Sequence, residues 1–386
     1  MPRSPLDRLI AGGGDRLKIE RVEPILVDRW LLVRVYTDDG LVGTGEAGLW
    51  AHQRLVYEAI RELSRYYVGR DPRRIEHHWQ AVSRDTHFMG SVLSAALSAL
   101  DIALWDLLGK SVNLPVYQLL GGKCREKVRV FATVRGSTVE ELAEDAAASV
   151  RDGFTALRVT PFFRDAARQT PTQMITTAGA MVHAIRDAVG DGVDLGVELH
   201  RRLTPGMAIQ LAKEVEPDRL LFLEDPVGPE SVEALAYVAA HVDIPLCAGE
   251  RKYNLQQFQA LLPYVSYIRP DVTLAGGITH CKKIAALAEA AFVGVLPHLM
   301  GGPVNTPAQV QLDVAIPNYV LHEVGVLHPP FTELVKEPIS LERGYLLLPD
   351  RPGIGVELRE DVVAMYPSKP QEIREVLHED GSLAEK

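Results

Sequence analysis

Short apolar runs recur through the middle of the chain, and each stops on a polar residue. The six endings are Gly-Val-Glu198, Leu-Phe-Leu-Glu224, Cys-Ala-Gly-Glu250, Ile-Arg-Pro-Asp271, Val-Leu-Pro-His298 and Val-Leu-His-Glu323. They fall 26, 26, 21, 27 and 25 residues apart. After each of the first five comes a turn and a helical period, over 205–216, 231–241, 255–262, 277–290 and 303–314. One buried strand and one amphipathic helix per unit is what a parallel sheet needs, because parallel neighbours are joined through a crossover. Eight such units close into a barrel, and the first two strands are predicted at 128–132 and 156–160. In a barrel of this kind the carboxyl ends of the strands face the active-site mouth, so six polar endings in register point to one site.

The flanking regions follow other periods. Ile25 and Val27, then Leu31, Val33 and Val35, alternate as strands, and Asp38-Asp39-Gly40 turns the chain into Val42-Gly43-Thr44-Gly45-Glu46. Helical stretches follow at 55–67, 73–85 and 91–109, the last apolar on nearly every face, as suits a helix packed between two domains. Beyond Glu323, residues 339–341 and 345–348 flank the turn Glu342-Arg343-Gly344 as a hairpin, and a Pro/Gly-rich stretch runs through Gly355. The expected fold class is therefore α/β, a modified (β/α) TIM-type barrel with an α+β capping domain formed by the N-terminal region and the C-terminal segment. The expected boundaries are 1–125 for the cap, 126–328 for the barrel, and 329–386 for a segment returning to the cap, since an unpaired sheet edge is a liability. Residues 1 to about 17, with Gly12, Gly13 and Gly14, read as a loosely held arm.

Composition narrows the partners. A net charge of -10 and the lack of a basic run argue against nucleic acid. Cys124, Cys247 and Cys281 fit neither a zinc site nor a disulfide framework, and Cys247, inside a barrel strand, reads as a small buried thiol. The start lacks an apolar stretch of signal length, and Asp101 and Asp106 interrupt the most hydrophobic helix, so no membrane and a cytoplasmic location are expected.

The endings also carry chemistry. Glu198, Glu224 and Glu250 lie on adjacent strands and offer only oxygen; such a cluster needs a cation, and a hard divalent ion, Mg²⁺ by preference, fits it better than zinc. Asp271 and His298 end neighbouring strands, where a carboxylate holds the imidazole tautomer and raises its basicity, as a general base requires. Glu323 closes the ring and can hydrogen-bond an oxygen that gains charge, provided it or its partner is protonated. His200 faces the same mouth if its strand continues two residues past Glu198, as a second acid/base group or as a plain loop histidine. A cation, a base and an acid together describe removal of the weakly acidic proton next to a carboxylate.

These residues resemble the enolase superfamily, in particular its mandelate racemase branch and the acid-sugar dehydratases typified by galactonate and gluconate dehydratase. The likeness rests on Gly45-Glu46-Ala47, on Ala99-Leu100-Asp101-Ile102-Ala103-Leu104-Trp105-Asp106 with Gly109-Lys110, and on Leu119-Leu120-Gly121-Gly122. It continues through Glu224-Asp225-Pro226, Ala248-Gly249-Glu250-Arg251, Pro270-Asp271 with Gly276-Gly277, and Pro352-Gly353-Ile354-Gly355. The resemblance implies a cap built from both chain ends, a barrel, Mg²⁺ on Glu198, Glu224 and Glu250, and Asp271–His298 as base. Three features depart from or qualify it. Where racemases and cycloisomerases of the superfamily carry Lys-x-Lys, this chain has Arg158-Val159-Thr160, so a lysine base is absent, whereas His200 matches the histidine of the dehydratases. Glu198 stands where many members have aspartate, and Leu299 and Met300 are apolar for a sugar-acid site.

The activity expected from this resemblance is that of a Mg²⁺-dependent aldonate dehydratase, forming a 2-keto-3-deoxy acid. His298 would take the α-proton, His200 would protonate the departing 3-hydroxyl, Glu323 would bond the enediolate and Arg158 would meet the substrate carboxylate. Two alternatives stay open: a racemase or epimerase of a 2-hydroxy acid, with His298 and His200 on opposite faces, and a silent binding or assembly subunit. A homo-oligomer of closed symmetry is expected, and loops 49–52 and 86–91 are the expected specificity elements.

Overall fold

A computed structural model describes residues 17–85, 87–299, 301–325, 327–369 and 371–385. The glycine-rich arm, except residue 17, and Thr86 and Met300 lie outside the described residues.

The cap opens with an antiparallel meander, β1 (Ile19–Val27), β2 (Trp30–Thr37) and β3 (Val42–Ala47), paired in that order. Helices α1 (Gln53–Tyr67), α2 (Ile75–Asp85) and α3 (Ser91–Val112) follow, then a short helical turn, α4 (Val116–Leu119). Strand β3 lies directly on α3 because Gly43 and Gly45 carry no side chain; a Cβ there would fall 2.2 Å from the Ala103 carbonyl oxygen and 2.0 Å from that of Ala99.

Among the described residues, eight parallel strands then form the barrel: β4 (Lys127–Thr133), β5 (Ala156–Val159), β6 (Asp194–Glu198), β7 (Phe222–Glu224), β8 (Leu246–Ala248), β9 (Tyr267–Ile268), β10 (Gly294–Val295) and β11 (His322–Glu323). Closure comes from β11 pairing with β4, and from a bridge between Val295 and Tyr319. The intervening helices are α5 (Val139–Arg151), α6 (Pro171–Val189), α7 (Pro205–Val215), α8 (Val232–Ala239), α9 (Leu255–Leu261), α10 (Gly277–Ala290) and α11 (Asn305–Asp313). The last strand is followed by irregular chain instead of an eighth helix among the described residues, which is the modification of the barrel. The core lies between strands and helices, with Leu157, Val159, Leu195, Val197, Leu223, Ile268 and Val295 all buried.

Helix α3 is 22 residues long and apolar enough to cross a bilayer by length and composition. Asp101 and Asp106 do not break it as the sequence suggests; both are buried and hydrogen-bonded inside the protein, and the helix is enclosed by the cap on one side and the barrel on the other. Asp106 is a junction. It accepts the Thr44 N–H (2.9 Å), the Ile354 N–H (2.9 Å) and the Lys110 ammonium (2.7 Å), tying the cap sheet, the helix and the C-terminal segment together.

The C-terminal segment departs from expectation in its first part. The hairpin β12 (Leu341–Glu342) and β13 (Tyr345–Leu347) pairs with the amino-terminal half of β4, at Lys127, Val128 and Arg129, and not with the cap. That half of β4 projects below the ring, and the hairpin supplies the partner its exposed edge needs. Only afterwards does the chain reach the cap: Gly353 bridges Pro115, the Arg359 carbonyl accepts from Arg34, and the short helix α12 (Val362–Met365) leads to hydrogen bonds between Tyr366, Lys369 and the Asp28 backbone.

Replacing Asp106 with Ala leaves two buried N–H groups without an acceptor and the Lys110 ammonium with the Val42 carbonyl alone, and should destabilise the fold by about 3 kcal/mol or more. The measurement is the apparent Tm together with protease cleavage of the C-terminal segment; an unchanged Tm would refute the junction.

Candidate active site

Glu198 and Glu224 end β6 and β7 side by side, while Glu250 is brought round by Gly249, whose φ of +125 is open only to glycine. One oxygen from each carboxylate lies within 4.8 Å of the others. The Thr160 hydroxyl donates to Glu198 at 3.1 Å. Glu224 is wholly buried; burial raises its pKa first, Arg269 and Arg158 oppose that, and the Glu198 and Glu323 charges add to it. Next to it, Asp225 is pushed well up by burial and by the charges of Glu250 and Glu224. This is a crowded, buried, all-oxygen nest, and a hard divalent cation is the group whose chemistry fits it.

Two arginines form the floor. Arg158 on β5 reaches Glu224 at 3.2 Å, Glu198 at 3.3 Å and Glu323 at 2.6 Å. Arg269, just past β9 and fully buried, pairs with Glu224 at 2.6 Å and also with Glu323. Burial would raise the Glu323 carboxyl, but Arg158 and Arg269 hold it well below the usual carboxylate range. Glu323 is thus favoured in its charged form between two guanidinium groups, which leaves protonation of its partner as the way it could hydrogen-bond an oxygen that gains charge, and Arg158 is engaged by three carboxylates of the protein.

Asp271 and His298 meet as their neighbouring strands predict. His298 Nδ1 is 3.0 Å from Asp271, and its Nε2 is turned to the nest, 3.7 Å from Glu250. Burial alone would lower the imidazolium pKa. The bond to Asp271 and the charges of Glu250, Asp271 and Glu323 outweigh that and raise it to about 9. Thr273 fixes the aspartate, donating to its Oδ1 from N–H (2.8 Å) and from Oγ1 (2.6 Å).

His200 is at the mouth, but not for the reason the sequence suggests. Strand β6 stops at Glu198, and the backbone then turns with positive φ at His200 (49°) and Arg201 (64°), so strand alternation does not orient the ring. Its Nε2 lies 3.5 Å from Arg201, whose guanidinium pairs with Glu250 at 2.6 Å and with Asp225 at 3.7 Å. Sequence reasoning singled out neither Arg201 nor Arg269. The signal for Arg269 was available: a cation between Tyr267-Ile268 and Pro270, at the end of a strand that must be buried, requires an anionic partner. Leu299 is buried, its N–H donating to Glu323 at 3.2 Å. In the cap loops Trp50 is half exposed and Phe88 is 90% exposed.

Comparison with known proteins agrees with this architecture. Residues 24–121 match the mandelate racemase / muconate lactonizing enzyme N-terminal domain, and residues 141–362 match the enolase C-terminal domain-like family. The chain is 37% identical to a D-galactonate dehydratase of Ralstonia pickettii and 35% identical to one of Variovorax paradoxus, in each case over 96% of this chain and 99% of the relative. Among solved structures it is similar to an enolase of Agrobacterium radiobacter, a candidate galactarate dehydratase with sodium and L-malate bound. The TM-score there is 0.90 at 30% identity, over 96% of this chain and 100% of the other. A barrel closed by eight strands, a cap from both chain ends and matches to both family domains lead to one conclusion: the chain belongs to the mandelate racemase / muconate lactonizing enzyme family of the enolase superfamily, and is a hydro-lyase of that family.

Proposed function

We propose that this enzyme is a Mg²⁺-dependent dehydratase of aldonic acids, removing the proton next to the substrate carboxylate and the 3-hydroxyl to give a 2-keto-3-deoxy acid. The observation that carries the proposal is the orientation of His298: Nδ1 is held by Asp271, which leaves Nε2 facing the glutamate nest as the atom that accepts the α-proton. The relatives named D-galactonate dehydratase support the substrate class, as does the 2-hydroxy acid L-malate in the Agrobacterium structure.

Glu198, Glu224 and Glu250 would hold the cation. When bound, it supplies Lewis-acid stabilisation of the substrate carboxylate as that group gains charge, and it offsets the Glu250 charge that helps keep His298 protonated. The protein's own groups do the rest. Arg158 and Arg269 neutralise the inner carboxylates, so that the nest does not have to be discharged by protonation. Glu323, ionised between them, serves as an acceptor for a substrate hydroxyl and not as a donor to the enediolate. His200 gives its proton to the departing 3-hydroxyl.

Glu224→Gln keeps the size of the side chain and removes one charge from the nest. Titration with Mg²⁺ should show weaker binding and turnover should fall with it; full turnover in that variant, or in excess chelator, would sink the cation assignment.

The two histidines can be separated in deuterated water. In His200→Asn, dehydration should slow by a factor on the order of 10² to 10⁴, the usual contribution of a general acid, while deuterium still enters at the α-carbon. In His298→Asn both should be lost. Rapid dehydration by His200→Asn removes the acid role from that residue, and a racemised product without a 2-keto acid would convert the reading to that of a racemase.

A further inference from the structure

The barrel helices do not all begin in the same way. Those after the first five strands carry their own N-caps: the side chains of Thr138, Thr170, Thr204, Ser231 and Asn254 each accept a backbone N–H of α5, α6, α7, α8 and α9. Helices α10 and α11 begin at Gly276 and Val304, and neither position provides a side-chain cap among the described residues. Their free N–H groups are satisfied from the capping domain. Asp101 of α3 accepts the Thr279 N–H at 3.0 Å, and Ser98 of α3 accepts those of Gly276 and Gly277 at 2.8 and 3.1 Å. At α11 the acceptor is Glu46, at the end of β3. Its buried carboxylate takes the N–H groups of Gly302, Val304 (3.1 Å) and Asn305 (2.9 Å).

These two helices follow the strands that lead to Asp271 and His298. The linkage is continuous. Asn305, held by Glu46 through its backbone, points Nδ2 at Asp271 Oδ1 (3.4 Å) and Thr273 Oγ1 (3.3 Å). Thr273 in turn fixes Asp271, and its carbonyl accepts the Gly48 N–H at 2.9 Å, two residues on from Glu46. The approach there is so close that a Cβ on Gly48 would lie 1.9 Å from Thr273 Oγ1. On the other side Gly302 rests on the Trp30 indole of β2, where a Cβ would come within 2.8 Å of the ring. Residues 46–48 of the cap thus grip the loop that carries Asp271 and the loop that follows His298.

We propose that Glu46 is a positioning residue for the general base: by capping α11 from the other domain it sets the distance and orientation of His298 against Asp271, so that the base is assembled only on a barrel with its cap docked. This rests on the reading of Asp271–His298 as the base. A carboxylate accepting three N–H groups at a helix start is a strong, directional contact, and misplacing a catalytic group by about 1 Å is enough to slow a reaction by on the order of 10²-fold.

The test is Glu46→Gln, which keeps the shape but turns an amide N–H₂ toward N–H donors. The control is Thr138→Ala, the loss of an N-cap on the helix after β4, which contributes no site residue. Glu46→Gln should lower kcat by on the order of 10²-fold with KM and Mn²⁺ affinity unchanged, since the three glutamates lie outside the grip. It should also speed amide exchange at Gly302, Val304 and Asn305 and move the His298 imidazole signal in ¹⁵N-histidine-labelled protein. Thr138→Ala should lower Tm and leave kcat and that signal in place. If Glu46→Gln does not fold, Asn305→Ala cuts the same linkage one step further on and should shift kcat and the His298 signal in the same direction. The proposal is overturned if Glu46→Gln lowers Tm while kcat and the His298 signal stay as in the parent, or if Mn²⁺ affinity falls in step with kcat. Should the parent enzyme dehydrate no acid sugar, the functional reading fails separately, and the exchange and imidazole signals still decide whether Glu46 positions His298.

Discussion

The site is governed by the need to keep like charges together out of water. Glu198, Glu224, Asp225, Glu250 and Glu323 converge at the mouth of the barrel, and all but Glu250 are buried. Such a cluster either takes up protons or is met by fixed positive charge. Here the guanidinium groups of Arg158, Arg269 and Arg201 meet it from below and from the side. What they leave over is the open nest of Glu198, Glu224 and Glu250, and a cation that enters it completes a balance the protein has already set most of the way. The planar fork of arginine suits this task, since one group can serve two or three carboxylates at once.

The same constraint accounts for the division of labour between the two carboxylates nearest His298. Asp271 is locked by Thr273 and presents its other oxygen to Nδ1, so it orients the ring. Glu250 stands off Nε2 at 3.7 Å and acts on it through charge. Any change in the charge on Glu250 is therefore felt by the His298 imidazole. Glu323, by contrast, is paired with Arg158 and Arg269.

Much of this was legible in the chain itself. The barrel followed from the spacing of Glu198, Glu224, Glu250, Asp271, His298 and Glu323, because a strand-plus-helix unit has a nearly constant length and hydrogen-bonded register brings successive strand ends to one face. Helix 277–290 was predicted to its boundaries, its apolar period running undisturbed between Gly276 and Ala291. That Asp271 and His298 are neighbours at the mouth likewise followed from their places on adjacent strands.

What sequence alone determined, then, is what period and register set: the barrel strands, the helices that follow Glu198, Glu224, Glu250, Asp271 and His298, and the meeting of these polar endings at one mouth. The tertiary structure decided the rest, because it depends on contacts between residues far apart in the chain. His200 owes its place to a left-handed turn and not to strand alternation. Arg158 faces protein carboxylates because Glu224 and Glu323 arrive beside it from 66 and 165 residues away. The hairpin at 341–347 joins the barrel because the free edge of β4 has no nearer partner. Glu46 reads locally as the end of a cap strand, and becomes the cap of a helix that starts more than 250 residues later only once the two domains are packed together.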